Sequence, residues 1–214
     1  IILNIRLKIA LKNKHKVLIN MKKKSSRNTK SKIVSAAWQL FYQQGYDNTT
    51  IDEIVSASGT SKGSFYHYFD GKDSLLSSLS YLFDEKYEEL METMDNSLSP
   101  IDKLIYLNKE LFLMIENTVS VDLLSQLFAS QLITSGERHL LATNRTYYKL
   151  LRQITIEGQQ GGYFKESLSI NDITKAYAMF ERGLMYDWCI CNGNYSLCQY
   201  SATMLPLFLK GLCK

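Results

Sequence analysis

The chain has 214 residues, of which 45% are hydrophobic and 21% are charged, and its length allows one large domain or a small and a medium domain. No stretch of about 20 apolar residues occurs, which excludes a membrane span. The formal net charge of +4 conceals an asymmetry, because residues 1–46 contain 11 Lys/Arg and no acid while residues 47–214 are net acidic. A basic leading segment on an acidic body indicates contact with a polyanion at one end of the chain.

The first 27 residues are predicted to form a basic disordered tail, because their apolar residues are interrupted by lysines and one early arginine. No unbroken apolar stretch of about 7–15 residues is present, so the sequence predicts no signal peptide. Met21 is followed by three lysines and resembles a natural start. We therefore expect residues 1–20 to be either non-native or upstream sequence.

All four cysteines lie in the last 26 residues: Cys189, Cys191, Cys198 and Cys213. Such usage differs from that of short disulfide-rich secreted domains and favours a reducing compartment, so we expect a cytoplasmic protein. Residues 189 and 191 would lie about 200° apart on a helix and are poorly placed to bind a metal together. We expect small buried side chains here, with no metal and no cofactor.

The first predicted helix begins near Ser31, where apolar residues recur at the spacing of one helix face: Ile33, Ala36, Ala37, Leu40 and Phe41. Thr50 and Glu53 form a capping-box pattern at the start of a second, short helix that ends near Ser58-Gly59. Thr60-Ser61 can cap a third helix, and Asp70-Gly71 ends it. A single long helix is then expected over about 72–95.

Pro100 is predicted to start the next helix as its first residue. Further helices are expected at about 119–133 and 139–160, the latter ended by glycines at 158, 161 and 162. A final pair spans 172–191 and 196–212. The sequence thus predicts an all-α fold of about nine helices, with a three-helix head at 28–71 and a helical body at 72–214.

The segment TSKGSFYHYF, at residues 60–69, completes a helix-turn-helix pattern with the short helix before it. Phe65 and Phe69 are four residues apart and are expected to anchor the helix in the head. The opposite edge then presents short hydrogen-bond donors and one long cation, suited to DNA bases and phosphates: Ser61, Lys62, Ser64 and His67. The hydroxyl of Tyr66 can donate to a phosphate.

Residues 29–76 resemble the DNA-binding signature of the tetracycline-repressor (TetR) family, and several positions fall in its register: Ile54, Gly59, Ser61, Gly63, Tyr66, Phe69, Lys72, Leu75 and Leu76. The end of the chain, with Gly183 and Trp188, resembles the pair of dimer-forming helices of that family. Between residues 77 and 170 the resemblance is loose.

The resemblance implies a repressor that binds double-stranded operator DNA and is released from it by a small molecule. Its implied DNA-binding residues are Thr49, Thr50, Thr60, Ser61, Lys62, Gly63, Ser64, Tyr66, His67 and Lys72, with Tyr66, Lys72 and Thr50 at phosphates. The resemblance further implies a homodimer, here expected through 172–191 and 196–212, whose heads read half-sites about one helical turn apart. A long helix from Lys72 would carry the signal between body and head.

The body is rich in methionine and aromatic residues, which suit an apolar effector site. The candidate ligand-binding residues are Tyr106, Met114, Phe128, Tyr147, Tyr177 and Met185. Polar residues within apolar stretches could select a cationic ligand if buried, and these are Glu110, Glu116, Gln126, Gln131, Glu181 and Asp187.

Two alternatives remain open at this point: a DNA-binding regulator without an effector, and a regulator that responds to oxidation of its cysteines. An enzyme is not expected, because the three histidines, His15, His67 and His139, show no metal-ligand spacing and no glycine-rich phosphate loop follows a strand.

Overall fold

The computed structural model describes residues 29–133 and 138–214 of the chain. The predicted tail at 1–27 and the suspected upstream sequence at 1–20 lie outside the described residues. Within the described ranges the α-helices, numbered in chain order, are α1 Thr29–Gln44, α2 Ile51–Ser58, α3 Lys62–Tyr68, α4 Lys72–Leu76, α5 Leu79–Thr93, α6 Pro100–Thr118, α7 Val121–Ile133, α8 Thr146–Gln160, α9 Ile170–Ile190 and α10 Leu197–Leu212. A 3-10 turn spans His139–Leu141.

The described residues form an all-α fold, as predicted, and contain no β-sheet. One isolated bridge joins Phe164 to Cys213. The chain divides into two compact units. The head unit comprises residues 29–79 and 117–133 of the described chain, and the body unit comprises residues 80–116 and 138–214.

The head unit differs from the predicted domain, which ended at residue 71, because it also contains α4 and α7. Helix α4 packs against α7, and both contribute buried leucines, among them Leu75 and Leu124. The hydroxyl of Tyr42 on α1 donates to the carbonyl oxygen of Thr118, just before α7. Burial of these apolar side chains, rather than proximity in sequence, determines which helices belong to the head.

The apolar face predicted for the first helix lies in the core of the head unit, where Ile33, Ala37 and Phe41 are buried together with Ile54 of α2. Gly59 ends α2 in the left-handed conformation, with a φ of 62° that a side chain would strain. This sharp end allows α3 to begin only a few residues later, after Ser61.

The single helix expected over 72–95 is wrong, because the chain breaks between α4 and α5 at Ser77 and Ser78. The hydroxyls of Ser74, Ser77 and Ser78 donate to backbone carbonyl oxygens three residues earlier, and such bonds compete with helix geometry. The indole N–H of Trp38 on α1 donates to Ser78 Oγ at 2.7 Å. A contact from a distant helix therefore stabilises the break.

In the body unit, Pro100 is the first residue of α6, as predicted. The helix expected over 139–160 is divided into the 3-10 turn and α8, and Gly158 lies inside α8 instead of ending it. A Cβ at Gly158 would lie 2.3 Å from the ring of Phe164, so the glycine is required by packing. Asn192 and Gly193 form the turn between α9 and α10 with positive φ angles.

Candidate functional site

Helix α3 has one buried face and one exposed edge. Phe65 and Phe69 are both buried, and their ring centroids lie 5.7 Å apart, as expected for two anchors four residues apart. Ser61 caps the helix, because its Oγ accepts a hydrogen bond from the backbone N–H of Ser64 at 3.1 Å. The buried anchors and the cap fix the orientation of a helix that is only seven residues long.

The exposed edge of α3 carries Ser61, Lys62, Gly63, Tyr66 and His67. Tyr66 is 53% exposed, and within the described part of the chain its hydroxyl has no hydrogen-bond partner. Lys62 forms an exposed ion pair with Asp52 of α2 at 2.7 Å. A hydrogen bond from its ammonium group to Asp52 raises the pKa of Lys62, which therefore remains a cation. The exposed cation of Lys62 and the hydroxyl of Tyr66 are groups that can bind a polyanion.

Helix α2 precedes α3 in the chain, and its N-terminus carries a capping interaction. The backbone N–H of Thr50 donates to Glu53 Oε2 at 2.7 Å, and the N–H of Glu53 donates to Thr50 Oγ1 at 3.2 Å. This reciprocal pair is the predicted capping box. The hydrogen bond from the Thr50 backbone lowers the pKa of Glu53, so its carboxylate is charged.

Three of the implied DNA-binding residues do not face solvent freely. Thr49 is 1% exposed, and its hydroxyl donates to the carbonyl oxygen of Gly45 at 2.7 Å. Thr60 is half-buried, with its hydroxyl 2.7 Å from Ser58 Oγ. The ammonium group of Lys72 donates to backbone carbonyl oxygens of the turn between α1 and α2. In this structure Thr49 and Lys72 contact the protein itself.

The body unit contains a buried polar cluster around Glu181, which is 1% exposed. Its carboxylate accepts hydrogen bonds from Asn108 Nδ2 at 2.8 Å and from the hydroxyl of Tyr147 at 2.7 Å. Asn108 in turn accepts from Ser201 on α10 at 2.5 Å. Desolvation raises the pKa of Glu181, although these hydrogen bonds and the charge of Arg182 act in the opposite direction.

Tyr87 of α5 completes this cluster. Its ring centroid lies 5.0 Å from that of Tyr147, and its buried hydroxyl has no hydrogen-bond partner among the described residues. Burial, and then the charge of Glu181, raise the pKa of Tyr87 well above its ordinary value. Leaving a buried hydroxyl unpaired costs free energy, so this group requires an explanation.

The structure brings together two of the six predicted ligand-binding residues, Tyr147 and Tyr177, whose pKa values are both raised by burial and by Glu181. Phe128 lies on α7 and belongs to the head unit, whereas the other five belong to the body unit. The remaining three predicted ligand-binding residues are Tyr106, Met114 and Met185.

The prediction missed Asn108, Ser201 and Tyr87. Polar residues on otherwise apolar helix faces were the available signal for Asn108 and Ser201. Of the acidic candidates, Glu116 contacts the start of α10, where its carboxylate accepts from the backbone N–H of Leu197 at 2.9 Å.

The four cysteines are free thiols of intermediate exposure, so the expectation of buried side chains at these positions was wrong. Burial raises the pKa of Cys198, and likewise that of Cys213, which keeps both as thiols at neutral pH. Because the thiolate is the reactive form, these environments do not favour oxidation of either residue.

Two family models match almost the whole described chain. A model of "Bacterial regulatory proteins, tetR family" matches residues 33–79, and one described as "YsiA-like protein, C-terminal region" matches residues 83–211, more than half of the chain. The chain belongs to the TetR family of bacterial regulatory proteins. As a TetR-family member it is a DNA-binding transcriptional regulator and not an enzyme, and regulators of this family bind operator DNA and act as dimers.

Curated relatives of this TetR-family regulator match to different extents. The fatty acid metabolism regulator protein of Bacillus subtilis is 23% identical over 193 residues, which cover 88% of this chain and 98% of that protein. An uncharacterized regulator of Lactococcus lactis is 52% identical over only 46 residues, 22% of this chain and 24% of that protein.

Solved structures share the fold of this TetR-family regulator. The fatty acid degradation regulator FadR of Bacillus halodurans has a TM-score of 0.63 at 24% identity and covers 86% of this chain and 96% of its own. FadR of Thermus thermophilus, solved with lauroyl-CoA, has a TM-score of 0.66 at 22% identity, with coverages of 84% and 93%.

Within residues 29–133 and 138–214, no single helix has the length and apolar character needed to cross a membrane. Helices α6 and α7, which are separated by a sharp bend, reach that length and apolar character only when they are taken together.

Proposed function

We propose that this TetR-family regulator is a repressor that binds operator DNA through α2 and α3 and is released by a small molecule bound in the body unit. The observation that supports this proposal most directly is the exposed edge of α3, opposite the buried Phe65 and Phe69. A bacterial operator lies in the cytoplasm, and we assign the protein to that compartment.

Direct DNA contacts are assigned to the side chains that α3 exposes. Lys62 and His67 suit base edges or nearby phosphates, Gly63 permits close approach, and the Tyr66 hydroxyl suits a phosphate oxygen. Ser61, Ser64 and Thr60 lie at the start of the same helix. Thr50 contributes the N-terminus of α2, where backbone N–H groups favour an anion.

For the effector we propose a long-chain acyl thioester of coenzyme A. This assignment is supported by relatives that match over most of the chain: FadR of Bacillus subtilis was solved in complex with stearoyl-CoA and that of Thermus thermophilus with lauroyl-CoA. Aromatic and methionine side chains of the body unit suit an apolar chain. The unpaired hydroxyl of Tyr87 would donate to a carbonyl oxygen of this effector.

Dimerisation is assigned to the exposed edges of α9 and α10, two helices of the body unit that pack side by side. Apolar side chains recur on them at helical spacing: Met179, Tyr186 and Ile190 on α9, and Tyr200 and Leu207 on α10. Gly183 lies on the same edge of α9 with open space around it. A glycine inside a helix is costly, and close approach of a partner helix would explain its presence.

The test is a DNA-binding titration with duplex from upstream of the protein's own gene, at two salt concentrations, with and without stearoyl-CoA. Lys62→Ala and Tyr66→Phe are compared with wild type, and coenzyme A alone is the control for the ligand. We expect site-selective, salt-sensitive binding that both substitutions weaken and that stearoyl-CoA reverses.

Two other outcomes distinguish the alternatives. Weak binding that is indifferent to sequence and to both substitutions would mean that only the basic tail touches this DNA, and the assignment of α3 would be withdrawn. Selective binding that stearoyl-CoA leaves unchanged would keep the DNA-binding role and remove this class of effector.

A further inference from the structure

The buried polar cluster of the body unit gathers side chains from four helices. Tyr87 lies on α5, Asn108 on α6, Tyr147 on α8 and Glu181 on α9, and all four are buried. A small-molecule site has this composition, because a few polar groups converge within apolar surroundings. A cluster that only joins the helices would have the same composition, and the hydrogen-bond pattern distinguishes the two.

The carboxylate of Glu181 can accept more hydrogen bonds than it receives. Within the described residues, Asn108 Nδ2 donates to one of its oxygens at 2.8 Å and the Tyr147 hydroxyl donates to the other at 2.7 Å. The hydroxyl of Tyr177 has a single proton, which it donates to the carbonyl oxygen of Leu104 at 2.8 Å. Because a carboxylate offers about four lone-pair sites, each oxygen of Glu181 has a site left for a further donor.

The hydroxyl of Tyr87 is an unused donor in the same cluster. It is buried without a hydrogen-bond partner among the described residues. The ring centroid of Tyr87 lies 5.0 Å from that of Tyr147, whose hydroxyl binds Glu181. A network with a purely structural role is expected to pair all of its members. This cluster instead leaves one donor and two acceptor sites open.

An open donor together with open acceptor sites is complementary to a ligand that carries a carbonyl group and a hydroxyl group close together. We infer that the preferred effector is a β-hydroxyacyl thioester of coenzyme A: Tyr87 donates to its thioester carbonyl oxygen, and its β-hydroxyl donates to Glu181. One methylene group separates the two polar groups in such a molecule. The inference rests on the proposed function, because it narrows the class of effector proposed there.

Selectivity for the hydroxyl follows from the acceptor sites of Glu181. A saturated acyl chain brings no donor to them, whereas the β-hydroxyl adds a hydrogen bond to a buried carboxylate. One such hydrogen bond corresponds to a difference in affinity of about tenfold or more. The β-carbon is also chiral, and a donor and an acceptor at fixed positions can both be aligned with only one of its two configurations.

The experiment measures direct binding to the full chain by isothermal titration calorimetry, without DNA. The ligands are stearoyl-CoA, each enantiomer of β-hydroxystearoyl-CoA, and ω-hydroxystearoyl-CoA, whose hydroxyl lies far from the thioester. We expect one β-hydroxy enantiomer to bind about tenfold or more tightly than stearoyl-CoA. The other enantiomer and the ω-hydroxy compound should bind no more tightly than stearoyl-CoA.

Three variants assign the two hydrogen bonds. Glu181→Gln keeps the size of the side chain but replaces an acceptor oxygen by an NH₂ group, and it should remove the preference for the β-hydroxyl. Tyr87→Phe should weaken stearoyl-CoA and the preferred enantiomer by the same factor, because both carry the thioester carbonyl. The control is Tyr148→Phe, a buried tyrosine whose hydroxyl is already bonded to Arg182 at 2.9 Å, and it should leave the ratio of the two affinities unchanged.

Equal affinities for stearoyl-CoA and both β-hydroxy enantiomers would overturn the inference and leave the proposed class of effector intact. A preference for the β-hydroxyl that persists in Glu181→Gln would overturn the role of Glu181. Absence of binding by every one of these ligands would reject the proposed class of effector, and the inference with it. The comparison of enantiomers uses the wild-type protein, so it decides the question even if Glu181→Gln does not fold.

Discussion

Single side chains in the buried polar cluster of the body unit contribute to stability with opposite signs. Tyr87 has an unpaired buried hydroxyl, whereas the hydroxyl of Tyr177, equally buried, donates to the carbonyl oxygen of Leu104 at 2.8 Å. An unpaired polar group is a cost, and a paired one is a modest gain. The same substitution, tyrosine to phenylalanine, therefore has different consequences at the two positions.

We predict that Tyr87→Phe raises the free energy of unfolding by about 1 kcal/mol, because it removes an unsatisfied hydroxyl, and that Tyr177→Phe lowers it by a similar amount. Urea unfolding of the effector-free protein measures both. Under the proposed function, Tyr87→Phe also weakens the response to stearoyl-CoA. A loss of stability in Tyr87→Phe would show that its hydroxyl has a partner in the free protein.

Glu181 makes stability depend on pH, because burial raises the pKa of its carboxyl above the ordinary value of 4.5. The unfolded chain then loses this proton at lower pH than the folded chain. Since the folded state binds more protons, the free energy of unfolding decreases as pH rises from the ordinary pKa to the raised one, and stays lower above it.

We predict that Glu181→Gln, which does not titrate, removes this decrease. Urea unfolding between about pH 4.5 and pH 8 measures it. The control is Glu166→Gln, an exposed position where Lys214 lowers the pKa of the carboxyl instead. If Glu181→Gln retained the wild-type dependence on pH, the cause would lie at another group.

Individual helices illustrate what spacing and capping can predict. The capping box at Thr50 and the buried pair Phe65 and Phe69 were predicted correctly, because these interactions join residues three or four apart on one helix. The break at Ser77 and Ser78 was not predicted, because apolar spacing continues across it. Its stabilising contact comes from Trp38, forty residues earlier.

Gly158 inside α8 is a second case in which a residue outside the helix, Phe164, determines which side chain the helix accepts. In a helix interior, alanine is normally more stabilising than glycine by about 1 kcal/mol. We predict that Gly158→Ala instead lowers the free energy of unfolding by about 1–3 kcal/mol, because the new Cβ would overlap the ring of Phe164. Gly63→Ala, with no atom closer than 3.9 Å, is the control in α3. Equal stability of both variants would contradict this packing.

At the scale of the whole molecule, the exposed edge of α9 leads to a prediction about assembly. Ile190 is 65% exposed, and a charge there would be buried in a dimer. We predict that Ile190→Asp sediments as a monomer at concentrations where the wild type is a dimer, and that its operator affinity falls because one head reads one half-site.

Met91→Asp, a similar change on the exposed edge of α5, is the control and should leave the dimer intact. A dimeric Ile190→Asp would place the interface elsewhere.

The sequence by itself determined the all-α fold, the positions of most helices, the helix-turn-helix and the exposed edge of α3, because these follow from periodicity and from contacts within a few residues. The tertiary structure alone decided that α7 belongs to the head unit, that Glu181 is buried beside an unpaired Tyr87, and that Lys72 binds backbone carbonyl oxygens. These features depend on residues far apart in the chain, whose meeting is fixed by the burial of apolar surface and not by any local pattern.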